Sequence, residues 1–142
     1  MTKSKALKLS SIVLTILILF KACSTSPQVT TSFKDISVKA AHQLISKNDD
    51  NKNFVILDVR TSTEYENGHI EKAINLNYSS SDFKEYLKEL DKNRIYLIYC
   101  QYGGRSKRAL EIMKSLGFQK AYNLSEGIIG WESAGYSTIK EN

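Results

Sequence analysis

The sequence predicts an α/β domain built on an open parallel sheet with helices on both faces. Short apolar runs alternate with amphipathic segments along the chain, which is the pattern of strand–helix–strand units. Two of the runs, FVILDV (54–59) and IYLIY (95–99), are continuous, as expected for strands that are buried on both faces. Ligands of such folds bind outside the carboxyl ends of the strands. Asp58 and Cys100 occupy two of these ends and are therefore the first functional candidates.

Composition narrows the class of protein. A chain of 142 residues with 42% hydrophobic and 25% charged residues fits one globular domain. The net charge of +5 is concentrated at the start, because four lysines and no acid precede Cys23, which leaves 16 basic and 15 acidic residues after it. The rest of the chain lacks the basic footprint of a nucleic-acid binder, so no nucleic-acid partner is expected. Cys23 and Cys100 are the only cysteines, which excludes a disulfide scaffold.

The N-terminus is typical of a targeting segment. Residues 1–22 combine a lysine-rich start with the apolar run LSSIVLTILILF, which is shorter than the roughly 20 residues of a membrane span and fits a signal peptide. Ala22-Cys23 resembles the cleavage and lipidation point of a bacterial lipoprotein. We therefore expect a lipid anchor on Cys23, a flexible Ser/Thr-rich tether over 23–34, and a folded domain over 35–142. The protein would be exported and held on a membrane, facing the periplasm or the cell exterior. An ordinary signal peptide or an uncleaved anchor is the alternative.

The first half of the domain is predicted to contain two helices and two strands. Ser37 can cap a helix whose apolar positions recur at helical spacing: Val38, Ala41, Leu44 and Ile45. After the strand at 54–59, Thr63 and Glu66 have the spacing of a capping box for a very short helix, which Gly68 would end. The segment AINL (73–76) predicts a weak strand.

The second half continues the alternation. One helical face is marked by Phe83, Tyr86, Leu87 and Leu90, and another, after the strand at 95–99, by Ala109, Ile112, Met113 and Leu116. Gly117 is the expected stop of the latter helix. AYNL (121–124) predicts a last short strand, and a short helix at about 128–133 closes the domain.

The segment CQYGGRS (100–106) has the composition of an anion-binding loop around a nucleophile. Gly103 and Gly104 permit a tight curl, so that the backbone N–H groups from Gln101 to Arg105 can point inward as a nest. A helix that begins near Ser106 adds its positive end, and the Arg105 side chain adds a cation. These effects favour a thiolate and should lower the pKa of Cys100. A buried cysteine that acts only as a small apolar residue is the alternative.

Two longer segments resemble the single-domain rhodanese family of sulfurtransferases. They are LDVRTSTEYENGHI (57–70) and YCQYGGRSKRALEIMKSLGFQKAYNLSEGIIGWESAGY (99–136), and the resemblance covers about residues 35–139. It implies a five-stranded parallel sheet. It also implies that Cys100 accepts a sulfane sulfur as a persulfide, and that residues 101–106 (Gln101, Tyr102, Gly103, Gly104, Arg105 and Ser106) bind the donor.

The resemblance gives the other motif residues a supporting role. Asp58 is expected to orient the loop by accepting hydrogen bonds or pairing with an arginine, and Arg60 to pair with an acid such as Glu64 or Glu66. His69 and Trp131 are expected to be structural, and no metal or cofactor signature is present. Arg108 is expected to be solvated on the helix after the loop.

The donor and the acceptor stay open at this stage. Members that use thiosulfate often carry a second cation directly after the cysteine, whereas Gln101 is neutral here and Tyr102 is bulky. A small sulfur-containing anion, thiosulfate or polysulfide-like, is the expected donor, and cyanide, a thiol or a protein is the expected acceptor.

Two other functions remain as alternatives. A non-catalytic rhodanese-like module would bind a partner, although such modules often lose the cysteine or the arginine. A phosphatase on the same fold would carry five residues between these two positions, whereas this chain has four between Cys100 and Arg105.

Overall fold

The computed structural model describes residues 30–140 of the chain. The predicted signal peptide, Cys23 and the first part of the predicted tether lie outside these residues, and their assignments stay predictions. Within the described range, no helix is both long enough and apolar enough to cross a membrane. In chain order the elements are β1 (Ser32–Ile36), α1 (Val38–Lys47), β2 (Phe54–Asp58), α2 (Ser62–Glu66), β3 (Ala73–Asn75), α3 (Phe83–Glu89), β4 (Ile95–Tyr99), α4 (Gly104–Ser115), β5 (Lys120–Leu124) and α5 (Gly127–Ser133).

The five strands form one sheet in the order β1-β5-β4-β2-β3, and every pairing is parallel. This confirms the predicted α/β fold with its five-stranded sheet. The register pairs Asp58 of β2 with Tyr99 of β4, and the Val59 N–H donates to the Tyr99 carbonyl at 2.9 Å. Both strands therefore end on the same side of the sheet, at its carboxyl end, which places the segments after Asp58 and after Tyr99 side by side.

Helices cover both faces of the sheet, as predicted. On one face, Leu57 and Ile98 pack in a core with buried residues of α3 and α4, including Leu87 and Met113. On the other face, a second core joins the alternate strand residues to α1 and α5: Ile56, Leu97, Tyr99, Ala41 and Trp131. Cys100 belongs to the first core. The nucleophile candidate therefore lies against the α3–α4 side of the sheet.

The edge strand β1 was missed by the sequence analysis. The tether was predicted to extend to residue 34, but residues 32–34 already pair with β5, in the register Ser32 to Lys120. The segment SFKDI is short, half polar and only half buried, as an edge strand with a single neighbour permits. Such a strand lacks the continuous apolar run by which β2 and β4 were recognised.

Two details of the helices differ from expectation. The capping box of α2 is formed by Thr61 and Glu64 rather than by Thr63 and Glu66. Both pairs have the same spacing, but Thr61 follows β2 in extended backbone, so the helix begins two residues earlier. In α3, Tyr86 is exposed although it was assigned to the buried face with Phe83 and Leu87. The cap by Ser37, whose hydroxyl accepts from the Ala40 N–H, agrees with the prediction.

Candidate active site

The cysteine loop lies between β4 and α4. Cys100 directly follows the strand, and α4 begins at Gly104, with Gly103 in left-handed backbone before it. The helix thus begins two residues earlier than the predicted start near Ser106. As a result Arg105 and Ser106 lie in its first turn, where backbone N–H groups have no partner within the helix.

The Cys100 sulfur lies inside the curve of the loop. The residue is 2% exposed, and the Ser106 hydroxyl lies 3.4 Å from Sγ. Burial alone raises the pKa of the Cys100 thiol, but hydrogen bonds from the Ser106 hydroxyl and from the backbone N–H groups of Ser106, Tyr102 and Arg105 outweigh it and lower the pKa. Two of these N–H groups, those of Tyr102 and Arg105, lie in the segment 101–105 for which the sequence predicted a nest. The Ser106 hydroxyl also lies 3.1 Å from the Gly103 carbonyl. Because it has one proton, it donates to either the sulfur or the carbonyl at a given time.

Two glycines allow the chain to pass close to the loop. Gly103 has φ +85°, and a Cβ there would lie 2.0 Å from the Ser125 carbonyl oxygen. Gly127 has φ +61°, and a Cβ there would lie 2.3 Å from the Gln101 carbonyl oxygen. Both positions therefore require glycine. The sequence analysis did not recognise this role of Gly127, which depends on its contact with Gln101, 26 residues earlier in the chain.

The start of α5 holds the loop by backbone hydrogen bonds. The Ile128 N–H donates to the Cys100 carbonyl at 2.9 Å, and the Ile129 N–H donates to the Gln101 carbonyl at 3.3 Å. The carbonyls of Cys100 and Gln101 therefore face α5, whereas the N–H groups of Tyr102, Arg105 and Ser106 face the sulfur. This division keeps the side of the loop that faces Cys100 rich in donors.

The Arg105 side chain forms an ion pair with a carboxylate. Its Nη2 lies 2.6 Å from Glu64 Oε1, and its Nη1 lies 2.9 Å from Glu64 Oε2. Glu64 is also held by Thr61, whose backbone N–H and hydroxyl donate to Oε2 at 2.9 and 2.8 Å. The Arg105 hydrogen bonds, with those from Thr61, lower the pKa of Glu64 to about 2. Glu64 is thus an ionised partner of the loop arginine, a role that the sequence analysis missed.

Arg60 pairs with Asp58, so its predicted pairing with Glu64 or Glu66 is wrong. The two side chains are 4% and 0% exposed, with Nη2 to Oδ2 at 2.6 Å. Arg60 also donates from Nη2 to the Gly68 carbonyl at 2.7 Å, and its guanidinium lies over the Tyr99 ring. The pair therefore fixes the segment after β2 beside β4, and the expected role of Asp58 in orienting the cysteine loop stays a prediction.

A cleft of about 270 Å³ opens beside the loop. Its wall includes Gln101, Ile128, Arg60 and two carboxylates, those of Glu64 and Glu132. Tyr102 is 72% exposed, and it contributes its backbone N–H to the nest. Among residues 30–140, no three His, Cys, Asp or Glu side chains converge as metal ligands would.

The remaining candidates have structural partners. The His69 ring stacks on Tyr65 with centroids 3.8 Å apart, and its Nδ1 lies 3.0 Å from the Tyr65 carbonyl oxygen. Trp131 is buried and donates from Nε1 to the Ser137 carbonyl. These positions agree with the expected structural roles. The Arg108 guanidinium lies over the Tyr78 ring at 5.9 Å.

Fold and site together define a class of protein. It is a parallel α/β domain in which a cysteine sulfur, at the carboxyl end of a central strand, faces several backbone N–H groups. Comparison with protein families matches residues 38–134 to the rhodanese-like domain. The chain therefore belongs to the rhodanese-like domain family.

The relatives of this chain differ in the activity that their names give. The chain is 34% identical over 101 residues to the thiosulfate sulfurtransferase GlpE of Coxiella burnetii, covering 71% of this chain and 89% of the relative. It is 31% identical over 106 residues to a tRNA uridine(34) hydroxylase of Buchnera aphidicola, of which the match covers 33%. A solved rhodanese-related protein from Thermoplasma volcanium is similar with a TM-score of 0.63 and 29% identity, covering 76% of this chain and 99% of the other.

Proposed function

We propose that this protein is a sulfurtransferase that carries a sulfane sulfur as a persulfide on Cys100. The observation that supports it best is the position of Sγ, which faces three backbone N–H groups and the Ser106 hydroxyl. Such a ring favours negative charge on the attacking thiolate and, after transfer, on the outer sulfur of the persulfide. The relatives with sulfurtransferase activity support the same assignment.

The reaction divides into two steps. In the first, the Cys100 thiolate attacks the outer sulfur of the donor, an S–S bond forms, and the donor's own S–S bond breaks. The leaving group takes that electron pair and departs as sulfite from thiosulfate or as a thiolate from a persulfide. In the second step, cyanide, a thiol or a partner protein attacks the outer sulfur, and the electron pair returns to Cys100. Residues 101–106 hold the outer sulfur in both steps.

The size of the loop favours sulfur transfer over phosphoryl transfer. Cys100 is 2% exposed, and α4 begins only four residues after it. A loop that closes around one outer sulfur atom can be small, whereas a phosphoryl group brings three oxygens that need donors in the transition state. We therefore expect no Cys100-dependent turnover of aryl phosphates.

The test is the intact mass of the full chain carrying Cys23→Ser, in which Cys100 is the only thiol. Treatment with thiosulfate or a polysulfide should add the mass of one sulfur atom, and cyanide should remove it and yield thiocyanate. The matched control, Cys23→Ser with Cys100→Ser, should gain no cyanide-reversible mass. A protein that binds partners but never gains the sulfur would be a non-catalytic module, and Cys100-dependent phosphate hydrolysis without a persulfide would identify a phosphatase.

We further propose that the protein is exported and anchored to a membrane through lipid on Cys23. The support is the lysine-rich start, the 12-residue apolar run at 9–20 and the Ala22-Cys23 pair. One acyl chain binds a membrane weakly, so stable anchoring requires more than one. Metabolic palmitate labelling should mark the wild type, whereas Cys23→Ala should stay unlabelled. Equal labelling of the two proteins would contradict the anchor.

A further inference from the structure

The terminal nitrogens of Arg105 are already engaged by a carboxylate. Nη1 and Nη2 each donate to one oxygen of Glu64, at 2.9 and 2.6 Å. The Nη1–Nη2 edge is one of the planar edges by which a guanidinium binds a carboxylate or an oxyanion through two parallel hydrogen bonds. A donor that carries a sulfonate group would therefore either compete with Glu64 for this edge or bind the Nε side of a guanidinium whose charge Glu64 already compensates.

Glu64 cannot easily give way, because α2 holds it independently of Arg105. Its Oε2 accepts from the Thr61 N–H and hydroxyl as part of the capping box. The side chains of Arg105 and Glu64 are 24% and 30% exposed, so displacement would leave a partly desolvated carboxylate without its cation. The charge of Arg105 is thereby largely compensated before any donor arrives.

The cleft beside the loop also disfavours a doubly charged anion. Glu64 and Glu132 both line the cleft, and Arg60, which lines it too, is bound to Asp58 at 2.6 Å. A doubly charged anion that enters along this wall meets two carboxylates and a compensated cation. A neutral or singly charged donor meets less repulsion.

We propose that Glu64 sets the charge of the sulfur donor, so that the site prefers a hydropersulfide (R–S–SH) on a small thiol to a dianion such as thiosulfate. This rests on the proposed sulfur transfer through Cys100. In the preferred step, the Cys100 thiolate attacks the terminal sulfur of R–S–SH. The products are a Cys100 persulfide, which keeps the proton, and the thiolate R–S⁻, which takes the electron pair of the broken S–S bond. Glu64 acts through Arg105 and touches no reacting atom, so it is a positioning residue.

The test compares loading rates for two donors in the full chain carrying Cys23→Ser. The second-order rate constant of persulfide formation on Cys100 is measured by rapid quench and intact mass, with thiosulfate and with the hydropersulfide of 2-mercaptoethanol. Glu64→Gln keeps the length and the capping-box pattern, which accepts Gln as well as Glu, and it removes the charge. The ratio of the thiosulfate rate to the hydropersulfide rate should rise roughly tenfold.

Two further variants separate this effect from a structural one. Glu85→Gln removes one negative charge from an exposed pair with Lys88 on α3 and should leave the ratio unchanged. In an Arg105→Ala background, Glu64→Gln should raise the ratio by a smaller factor, because only the direct repulsion between Glu64 and the donor remains. The melting temperature of each variant shows whether its fold is kept.

The outcomes are distinct. If the wild type loads Cys100 but Glu64→Gln changes both donors by the same factor, or slows both, the role of Glu64 is overturned and the sulfurtransferase assignment stands. If neither donor loads Cys100 in the wild type, both proposals are overturned.

Discussion

The segments that follow β2 and β4 both begin at the carboxyl end of the sheet, yet different kinds of contact hold them in place. After β2, two oppositely charged side chains fix the backbone: Arg60 and Asp58 are 4% and 0% exposed and bind each other at 2.6 Å. After β4, backbone contacts fix the loop, through Gly103, Gly127 and the Ile128 N–H. The arginine of that second loop is paired at the rim, where it is 24% exposed.

The difference shows that one end of the sheet contains both a segment fixed by an ion pair and a loop that offers hydrogen-bond donors. In the segment after β2, the charges of Asp58 and Arg60 are used on each other and hold the backbone in place. The loop after β4 turns its first two carbonyls, those of Cys100 and Gln101, toward α5, and the N–H groups of Tyr102, Arg105 and Ser106 face the Cys100 sulfur. A site that must bind a new atom during a reaction needs such preorganised donors, and this loop contains Cys100, the proposed nucleophile.

The largest expected effect comes from breaking the buried pair. Arg60→Ala leaves Asp58 as an uncompensated buried carboxylate and should lower the free energy of unfolding by about 3–5 kcal/mol. Arg105→Ala removes a partly exposed pair and should cost about 1 kcal/mol or less. Urea unfolding of both variants measures this contrast, and equal losses would contradict the distinction between the two arginines.

The backbone support of the loop is tested by Gly127→Ala. A Cβ would meet the Gln101 carbonyl oxygen at 2.3 Å in backbone with φ +61°, so the variant should lose roughly 2–3 kcal/mol and load sulfur more slowly. Gly135→Ala is the matched control, because φ is +84° there and nothing lies within 4 Å of the added Cβ. It should lose about 1 kcal/mol and keep its loading rate. If both variants lost the same stability and kept their loading rates, the contact with Gln101 would be irrelevant.

The hydrogen bond from Ser106 to Cys100 predicts a change in thiol titration. Ser106→Ala removes a hydroxyl donor 3.4 Å from Sγ. Because this hydroxyl stabilises the thiolate, its loss should raise the pKa of Cys100. Arg105→Ala should raise this pKa by less, since Glu64 already compensates the cation. The pH dependence of alkylation in the Cys23→Ser chain gives both midpoints. A larger shift in Arg105→Ala would show that the cation, rather than the nest, controls the thiolate.

The smallest expected effect is on stability in acid. The pKa of Glu64 falls from 4.5 to about 2 in the folded state, so its contribution to stability is fully present above pH 4.5 and is lost as the pH falls toward about 2. Unfolding free energies measured across this range should fall less steeply for Glu64→Gln than for the wild type. Identical slopes would mean that the pair at the rim contributes nothing to folding.

The sequence by itself determined the central strands, the α/β class and the candidate nucleophile. The runs at 54–57 and 95–99 carry no charged residue, as expected for strands that are buried on both faces. The motif at 100–106 places a cysteine, two glycines and an arginine in one short segment, and the nest it forms is local in sequence. For the same reason the cap by Ser37 was predictable, because a cap involves residues only three positions apart.

The tertiary structure alone decided the partners of the charged residues and the limits of the sheet. Glu64 lies 41 residues from Arg105, and the rival pairing with Arg60 was equally plausible from spacing. Gly127 is essential only because α5 packs on the loop, and β1 is a strand only because β5 offers an open edge. Contacts between distant segments depend on how the helices dock on the sheet, and local patterns of polarity carry little information about that docking.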